Sequence, residues 1–393
     1  MDILSLLSYS LFYLVLFFTF NLLFKSRKFN NLPPGPLSLP IIGNLHHLKR
    51  PLHHTFKGLS KKYGDVISLW FGSRLVVVVS SPSIVEECFT KNDVVLANRP
   101  RFLSGKYIYY NYTTLGSTSY GEHWRNLRRI TAIDVLSSHR INSFTGVRRD
   151  EIHRLIKKLA DESSKDFVEV ELRSRFYDMT FNNIMRMISG KRYYGDDCDM
   201  MDVEEAKEFR AMVTDLLKLS GANNKNDFLP ILRVIDFENL EKRLKKISNK
   251  TDTFLRGLIQ EHRNKKQHTN TMIDHLLRFK VPRDTILLIN AWAIHRDPET
   301  WSEATSFKPE RFEKEGELAK LIAFGLGRRA CPGGGLAMRA ICLTLGLLIQ
   351  CFEWKKVDDK EIDMSEESGF TLSRSVPLKA MCKVRPVIKK LVE

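Results

Sequence analysis

The chain has 393 residues, with 62 Lys+Arg against 46 Asp+Glu and a formal net charge of +16. Apolar residues make up 43% and charged residues 27%, a balance that supports a packed core and excludes a disordered chain. Six cysteines without a CxxC pair exclude a disulfide scaffold and a cysteine-rich zinc site, and the eleven histidines form no HExxH.

The first element in chain order is the uncharged run Ile3 to Phe24. At ~1.5 Å per residue it reaches ~33 Å, enough for the ~30 Å hydrocarbon core of a bilayer. It starts on Met1-Asp2 and is followed by Lys25, Arg27 and Lys28. A cleaved signal peptide, the alternative, would begin basic and be shorter. The pattern predicts a single-pass anchor over residues 1–24 with the body in the cytosol, where thiols stay reduced. Residues 25–44 hold the basic cluster, Leu32-Pro33-Pro34-Gly35-Pro36, Pro40 and Gly43. Proline fixes φ and restricts the residue before it, so a stiff, extended hinge is expected.

Asp65 to Ser80 reads as two strands around Gly72-Ser73. A helix should follow from Ser83 as cap to Thr90. Arg99 to Tyr120, rich in aromatic and small polar residues, reads as a long loop, and Glu122 to Arg129 as a basic helix. Ser138 to Leu277 is mostly helical in pattern, with polar breaks at 162–165, 190–199 and 220–227. The amphipathic, basic helix expected over Leu240 to Lys265 should present its charges as a solvated face rather than to nucleic acid. Thr285 to Ile289 is a short apolar strand. Leu336 to Phe352 is apolar on almost every side, which predicts a helix buried in the core. Two short strands, Phe370 to Leu372 and Val376 to Ala380, close the series.

The chemistry concentrates in Phe324-Gly325-Leu326-Gly327-Arg328-Arg329-Ala330-Cys331-Pro332-Gly333. Glycines allow close approach to a flat ligand, a helix N-terminus favours negative charge, and a thiolate is a good soft ligand for iron. Weighed against this is a buried, inert cysteine. Gly325 to Ala330 also mimics a GxGxxA dinucleotide loop, but no βαβ unit follows it.

The decamer from Phe324 to Gly333 resembles the FxxGxRxCxG heme loop of the cytochrome P450 family. The resemblance implies a mainly α fold with small β-sheets, with Cys331 as axial iron ligand and Arg329 as partner of a heme propionate. Phe324, Gly327 and Gly333 complete the implied cofactor-binding set. Phe307 to Phe312 resembles the family's PERF element, and Trp124 with Arg128 its WxxxR helix, whose two side chains reach heme propionates. Ala97 to Phe102, Tyr120 to Arg125 and Asn290 to Pro298 resemble plant isoflavone 2′-hydroxylase-type members. These act on small aromatic substrates, take electrons from an NADPH-cytochrome reductase, and sit in the endoplasmic reticulum membrane. The implied cofactor is heme and the implied partners are that reductase, the substrate and membrane lipid, with no nucleic acid. By the same likeness the loop 102–119, with Tyr107, Tyr109, Tyr110 and Tyr112, and the tip Leu372–Val376 would face substrate, although ordinary packing explains such tyrosines equally well.

Two elements of the family are absent. Val281 to Lys308 contains neither the (A/G)Gx(D/E)T oxygen-activation helix nor the ExxR helix whose residues lock the PERF arginine. ExxR occurs at Glu122–Arg125 and Glu151–Arg154, both far upstream and expected to be accidental. The catalytic domain, residues 45–393, is therefore expected to carry an internal deletion near 280–281. No catalytic side chain for oxygen activation is assigned, and a catalytically inactive, truncated isoform stands as the alternative to a working monooxygenase.

Overall fold

The computed structural model describes residues 10, 12–14, 32–49, 51–195, 203–220, 224–264, 288–314, 316–367 and 372–386. Apart from residues 10 and 12–14, the expected anchor lies outside the described residues, as do 25–31 of the hinge and the join at 280–281. In chain order the helices are α1 (Leu52–Tyr63), α2 (Pro82–Phe89), α3 (Asp93–Leu96), α4 (Leu103–Tyr107), α5 (Glu122–Ile130), α6 (Ser138–Ser143), α7 (Thr145–Glu162), α8 (Leu172–Ser189), α9 (Val203–Leu219), α10 (Pro230–Val234), α11 (Leu240–Asn264), α12 (Ala291–Ile294) and α13 (Gly334–Cys351). The strands are β1 (Val66–Phe71), β2 (Arg74–Val79), β3 (Val168–Glu171), β4 (Leu288–Ile289), β5 (Phe352–Lys355), β6 (Glu366–Glu367), β7 (Ser373–Arg374) and β8 (Lys379–Val384). The chain is mainly helical with small sheets, and its residues group into two compact units.

The first unit draws on the described parts of Met1–Ala97, Asn224–Glu238 and Ile286–Ala323. β1 and β2 form the expected antiparallel hairpin, in register from Val66↔Val79 to Phe71↔Arg74. Alternation buries Ile67, Leu69 and Phe71 against Phe56 of α1. Gly72 turns the hairpin at φ 56°, and a Cβ there would lie 2.1 Å from the Phe228 carbonyl oxygen, so only glycine fits. β4 pairs in parallel with β2 through Val78↔Leu288 and Val79↔Ile289. The proline-rich segment is pinned to β1. Ser68 N–H donates to Pro34 O at 3.0 Å, and Asn44 bridges the Leu37 carbonyl (3.0 Å) and the Trp70 amide (2.7 Å). α2 begins two positions earlier than expected, with Ser81 at the N-cap position and Pro82 at its first position, where a missing N–H costs nothing. Arg311 of the PERF turn donates to the backbone carbonyls of Ser302 (2.8 Å), Lys308 (3.0 Å), Ser306 (3.1 Å) and Glu303 (3.3 Å). Among the described residues no carboxylate hydrogen-bonds it.

The second unit draws on the described parts of Asn98–Asn223, Asn239–Thr285 and Phe324–Glu393. α7 supplies Ile152, Leu155, Ile156 and Leu159 to a core shared with Leu348 and Cys351 of α13 and with Phe352, Cys382 and Val384. The sheet β3-β8-β5 closes that core with antiparallel pairs such as Val168↔Cys382 and Phe352↔Val384. Glu171 caps α8 by accepting from the amides of Arg173 and Ser174. Glu151, 2% exposed, is held by Arg186 at 2.7 Å and Arg192 at 2.8 Å, while Arg154 pairs with Asp150 at 3.2 Å. The upstream ExxR at Glu151–Arg154 is thus a local helix pattern whose two ends serve different partners.

Four expectations are corrected. The loop Arg99–Tyr120 contains α4 and then three residues with positive φ, Tyr110, Asn111 and Tyr112. β3 occupies part of the stretch read as helical. The closing strands fall at β7 and β8, because the pairing with β6 and β3 sets their register; residues 370 and 371 lie outside the described residues. The fourth concerns α13, which is not buried all round. Leu348 is 5% exposed, but Ile341, Leu345 and Ile349 are 53%, 54% and 60% exposed. Its neighbours α7 and β5 cover one face, and the opposite apolar face meets solvent. α13 is also the one described helix long and apolar enough to cross a membrane by length and composition.

Candidate functional site

The decamer closes as a tight loop. Gly325 and Gly327 take φ of 71° and 62°, in the region that favours glycine. The Cys331 amide donates to Phe324 O at 2.7 Å, and a short 3-10 turn spans Gly327–Arg329. Gly333 caps α13, and a Cβ at Gly334 would lie 3.3 Å from the Phe324 ring, so the aromatic packs against the start of the helix. Cys331 is exposed, which removes the buried, inert reading. The contrast within the chain is sharp. Cys88, Cys351 and Cys382 are buried, and burial pushes their thiols up, Cys382 to about 11.

α5 faces this loop. Trp124 and Arg128 lie i, i+4 on one face of it. Arg128 Nη1 donates to the Ala330 carbonyl at 2.8 Å. The Arg329 guanidinium stacks 4.8 Å from the centre of the Trp124 ring and donates to the carbonyls of Thr118 (2.6 Å) and Leu115 (3.2 Å). Tyr120 lies 5.4 Å from Trp124 and is flanked by Arg125 at 5.6 Å and Arg328 at 5.4 Å. Hydrogen bonds from Arg125 and then Arg328 hold its hydroxyl below the ordinary tyrosine value. The structure therefore brings Trp124, Arg128, Phe324, Gly327, Arg329, Cys331 and Gly333 together.

This donor set has two parts, an exposed thiol and a group of guanidiniums beside a buried aromatic ring. A guanidinium has five N–H donors, so Arg128 keeps donors beyond the one spent on the Ala330 carbonyl. A soft metal carried by a flat group with acidic arms satisfies both parts, which is the chemistry of heme.

Sequence reading missed the Tyr120 sandwich and two hydroxyls below it. Thr118 and Ser119 are both 0% exposed, and their side-chain oxygens have no hydrogen-bond partner among the described residues. Only the small polar run 116–119 hinted at them. Three tyrosines of the upstream loop have contacts within the protein. Tyr107 bonds Glu241, Tyr110 reaches Asp252 at 3.2 Å, and Tyr112 is buried against Gly105.

The family model described as Cytochrome P450 matches residues 33–280 and 270–380. The chain is 60% identical over 496 aligned positions to an isoflavone 2′-hydroxylase of Glycyrrhiza echinata, covering 100% of this chain and 99% of that protein. It is 59% identical over 496 positions to an isoflavone 2′-hydroxylase of Medicago truncatula, covering 100% of both. To an isoflavone 3′-hydroxylase of Medicago truncatula it is 49% identical over 495 positions, covering 98% of this chain and 99% of the relative. The first alignment is 103 positions longer than the 393 residues of this chain.

Proposed function

The chain belongs to the cytochrome P450 family, and from that premise we propose that it is a heme-thiolate monooxygenase of the isoflavone 2′-hydroxylase-like group, hydroxylating an isoflavonoid with O2 and reductase-supplied electrons. One observation carries the reading: the exposed thiol of Cys331 and the Trp124–Arg128 face of α5 meet around one loop. When bound, heme supplies a thiolate-ligated iron whose electron-rich character favours O–O cleavage. Cys331 would supply the thiolate that holds the iron. Arg329, Arg128 and Trp124 would hold the acidic arms through charge-assisted hydrogen bonds. Gly325 and Gly327 give the backbone its tight turn, and Phe324 braces the loop against the start of α13.

The net charge of +16 suits docking to an acidic face of an NADPH-dependent reductase. Ile3 to Phe24 supports a single-pass anchor in the endoplasmic reticulum membrane, with residues 25–44 as the link to a catalytic domain over 45–393. An internal deletion near 280–281 is supported by the 103 extra alignment positions and by a family match in two segments that meet at 270–280. The identity, spread over the whole chain, supports the enzyme reading over an inactive remnant.

The test is a reduced, carbon-monoxide difference spectrum of the chain in microsomes, followed by turnover of an isoflavone with reductase and NADPH. The parent should give a thiolate-type Soret band and a hydroxylated product, and Cys331→Ser should lose both. A parent without the band would refute heme ligation by Cys331. A band without reductase-dependent product would refute the activity.

A further inference from the structure

The first unit holds a cavity of about 220 Å³ built wholly from residues 295–321. A cavity of about 150 Å³ already takes benzene, and drug-sized ligands fill about 300 Å³ or more. The size therefore suits one aromatic ring with a short substituent. The inner wall is fixed. Trp301 is buried, and its Nε1 donates to the Ile294 carbonyl at 3.1 Å. The Phe312 ring meets the indole edge-on at 5.8 Å. The outer wall is open: Phe307, Phe312 and Leu321 line the space and are exposed, so a ligand enters from solvent and covers apolar surface.

The polar part of the lining has one sign. It includes Lys308, Arg311 and His295 and no carboxylate. Lys308 is paired with Glu303, and Lys320, 5.9 Å from the Trp301 ring centre, is paired with Glu317. Lys308 is also the main reason that Glu303 is held below the ordinary carboxylate value, and Arg311 acts on it only through space. Arg311, 5.8 Å from the same ring centre, spends four N–H groups on carbonyls, and a guanidinium has five. Its charge is thus held by dipoles and not by an acid. The Ile322 amide donates to His295 Nε2 at 3.0 Å, which puts the proton of the neutral ring on Nδ1 as a further donor. Burial, and then Arg296, lowers the pKa of that ring and keeps it neutral at pH 7.

We propose that this cavity is a ligand site for a single-ring aromatic carboxylate, with the ring against Trp301 and Phe312 and the carboxylate at Arg311. The site uses none of the residues assigned to heme, so it stands or falls apart from that reading.

Saturation-transfer NMR of the full chain, solubilised from microsomes, tests it with sodium benzoate and with benzamide, the uncharged ring of the same size. Benzoate should bind with a Kd of about 1 mM or tighter, within reach of so small a ligand. Benzamide should bind about ten-fold more weakly, the scale of one charge-assisted hydrogen bond. Leu321→Trp fills the cavity from its exposed rim and should abolish benzoate binding. Arg311→Gln should bring benzoate down to the benzamide affinity. Because Arg311 also ties four carbonyls, the comparison of the two ligands on the parent decides the matter if that variant fails to fold. Equal affinity for benzoate and benzamide, parent-like binding by Leu321→Trp, or no saturation at about ten times the expected Kd would each overturn the inference.

Discussion

His123 sits at the start of α5 with its ring buried, and burial pushes its pKa down to about 4 from 6.5. The folded state disfavours the proton, and the unfolded chain takes it up below the ordinary value. Stability from this residue is therefore complete above about pH 6.5 and falls as the pH drops toward 4. Urea unfolding of the parent should lose on the order of 1–3 kcal/mol more than His123→Gln across that interval; equal losses would show that the ring is not the group responsible. His295 is lowered by burial as well, so it adds a slope of the same sign that both proteins share. At this scale the sequence was readable where spacing carries chemistry. Cys331, Arg329, Trp124 and Arg128 stand at positions a motif defines, and the fold gathers them. Thr118 and Ser119 were not readable, because nothing in a run of small polar residues says which hydroxyl will be buried without a partner.

At the scale of elements, local pattern and long-range pairing separate cleanly. The β1–β2 hairpin was legible because period-2 alternation and Gly72-Ser73 agree. α11 was legible because Leu244 and Ile247 point inward while Lys242, Arg243, Lys245 and Lys246 are exposed. β3 was not, since its strand character comes from β8, more than two hundred residues later. α13 misled for another reason: a helix apolar on every side has no moment to show which side is covered. The structure supplies the missing side and makes a prediction. Leu348→Ala should cost about 2–5 kcal/mol, since Leu348 packs in the core with α7. Leu345→Ser, on the outer face, should change stability by no more than ~0.5 kcal/mol. Chemical denaturation of the two variants checks the contrast, and comparable losses would mean that the outer face is covered in solution.

For the whole molecule, the 103 positions by which the first alignment exceeds this chain are the property with the largest consequence. Inserting, between residues 280 and 281, the interval that the Glycyrrhiza echinata relative carries should raise heme content per chain and product formed per heme. Equal heme content in the two proteins would show that the shorter chain completes its own site. The family was legible at this scale from a few motifs. The division into two units was not, because each unit is assembled from three separated stretches of chain. That interleaving also orders events during synthesis. β2 leaves the ribosome with one edge paired to β1, and the other edge waits for β4, whose residues 288 and 289 follow Val79 by over two hundred positions. At ~5–20 residues per second, that edge stays open for roughly 10–40 s. Its sequence, Leu75 to Val79, is a β-branched apolar run of the kind that recruits other strands. Over that interval the nascent chain carries an open apolar strand edge, the feature that chaperones cover during synthesis.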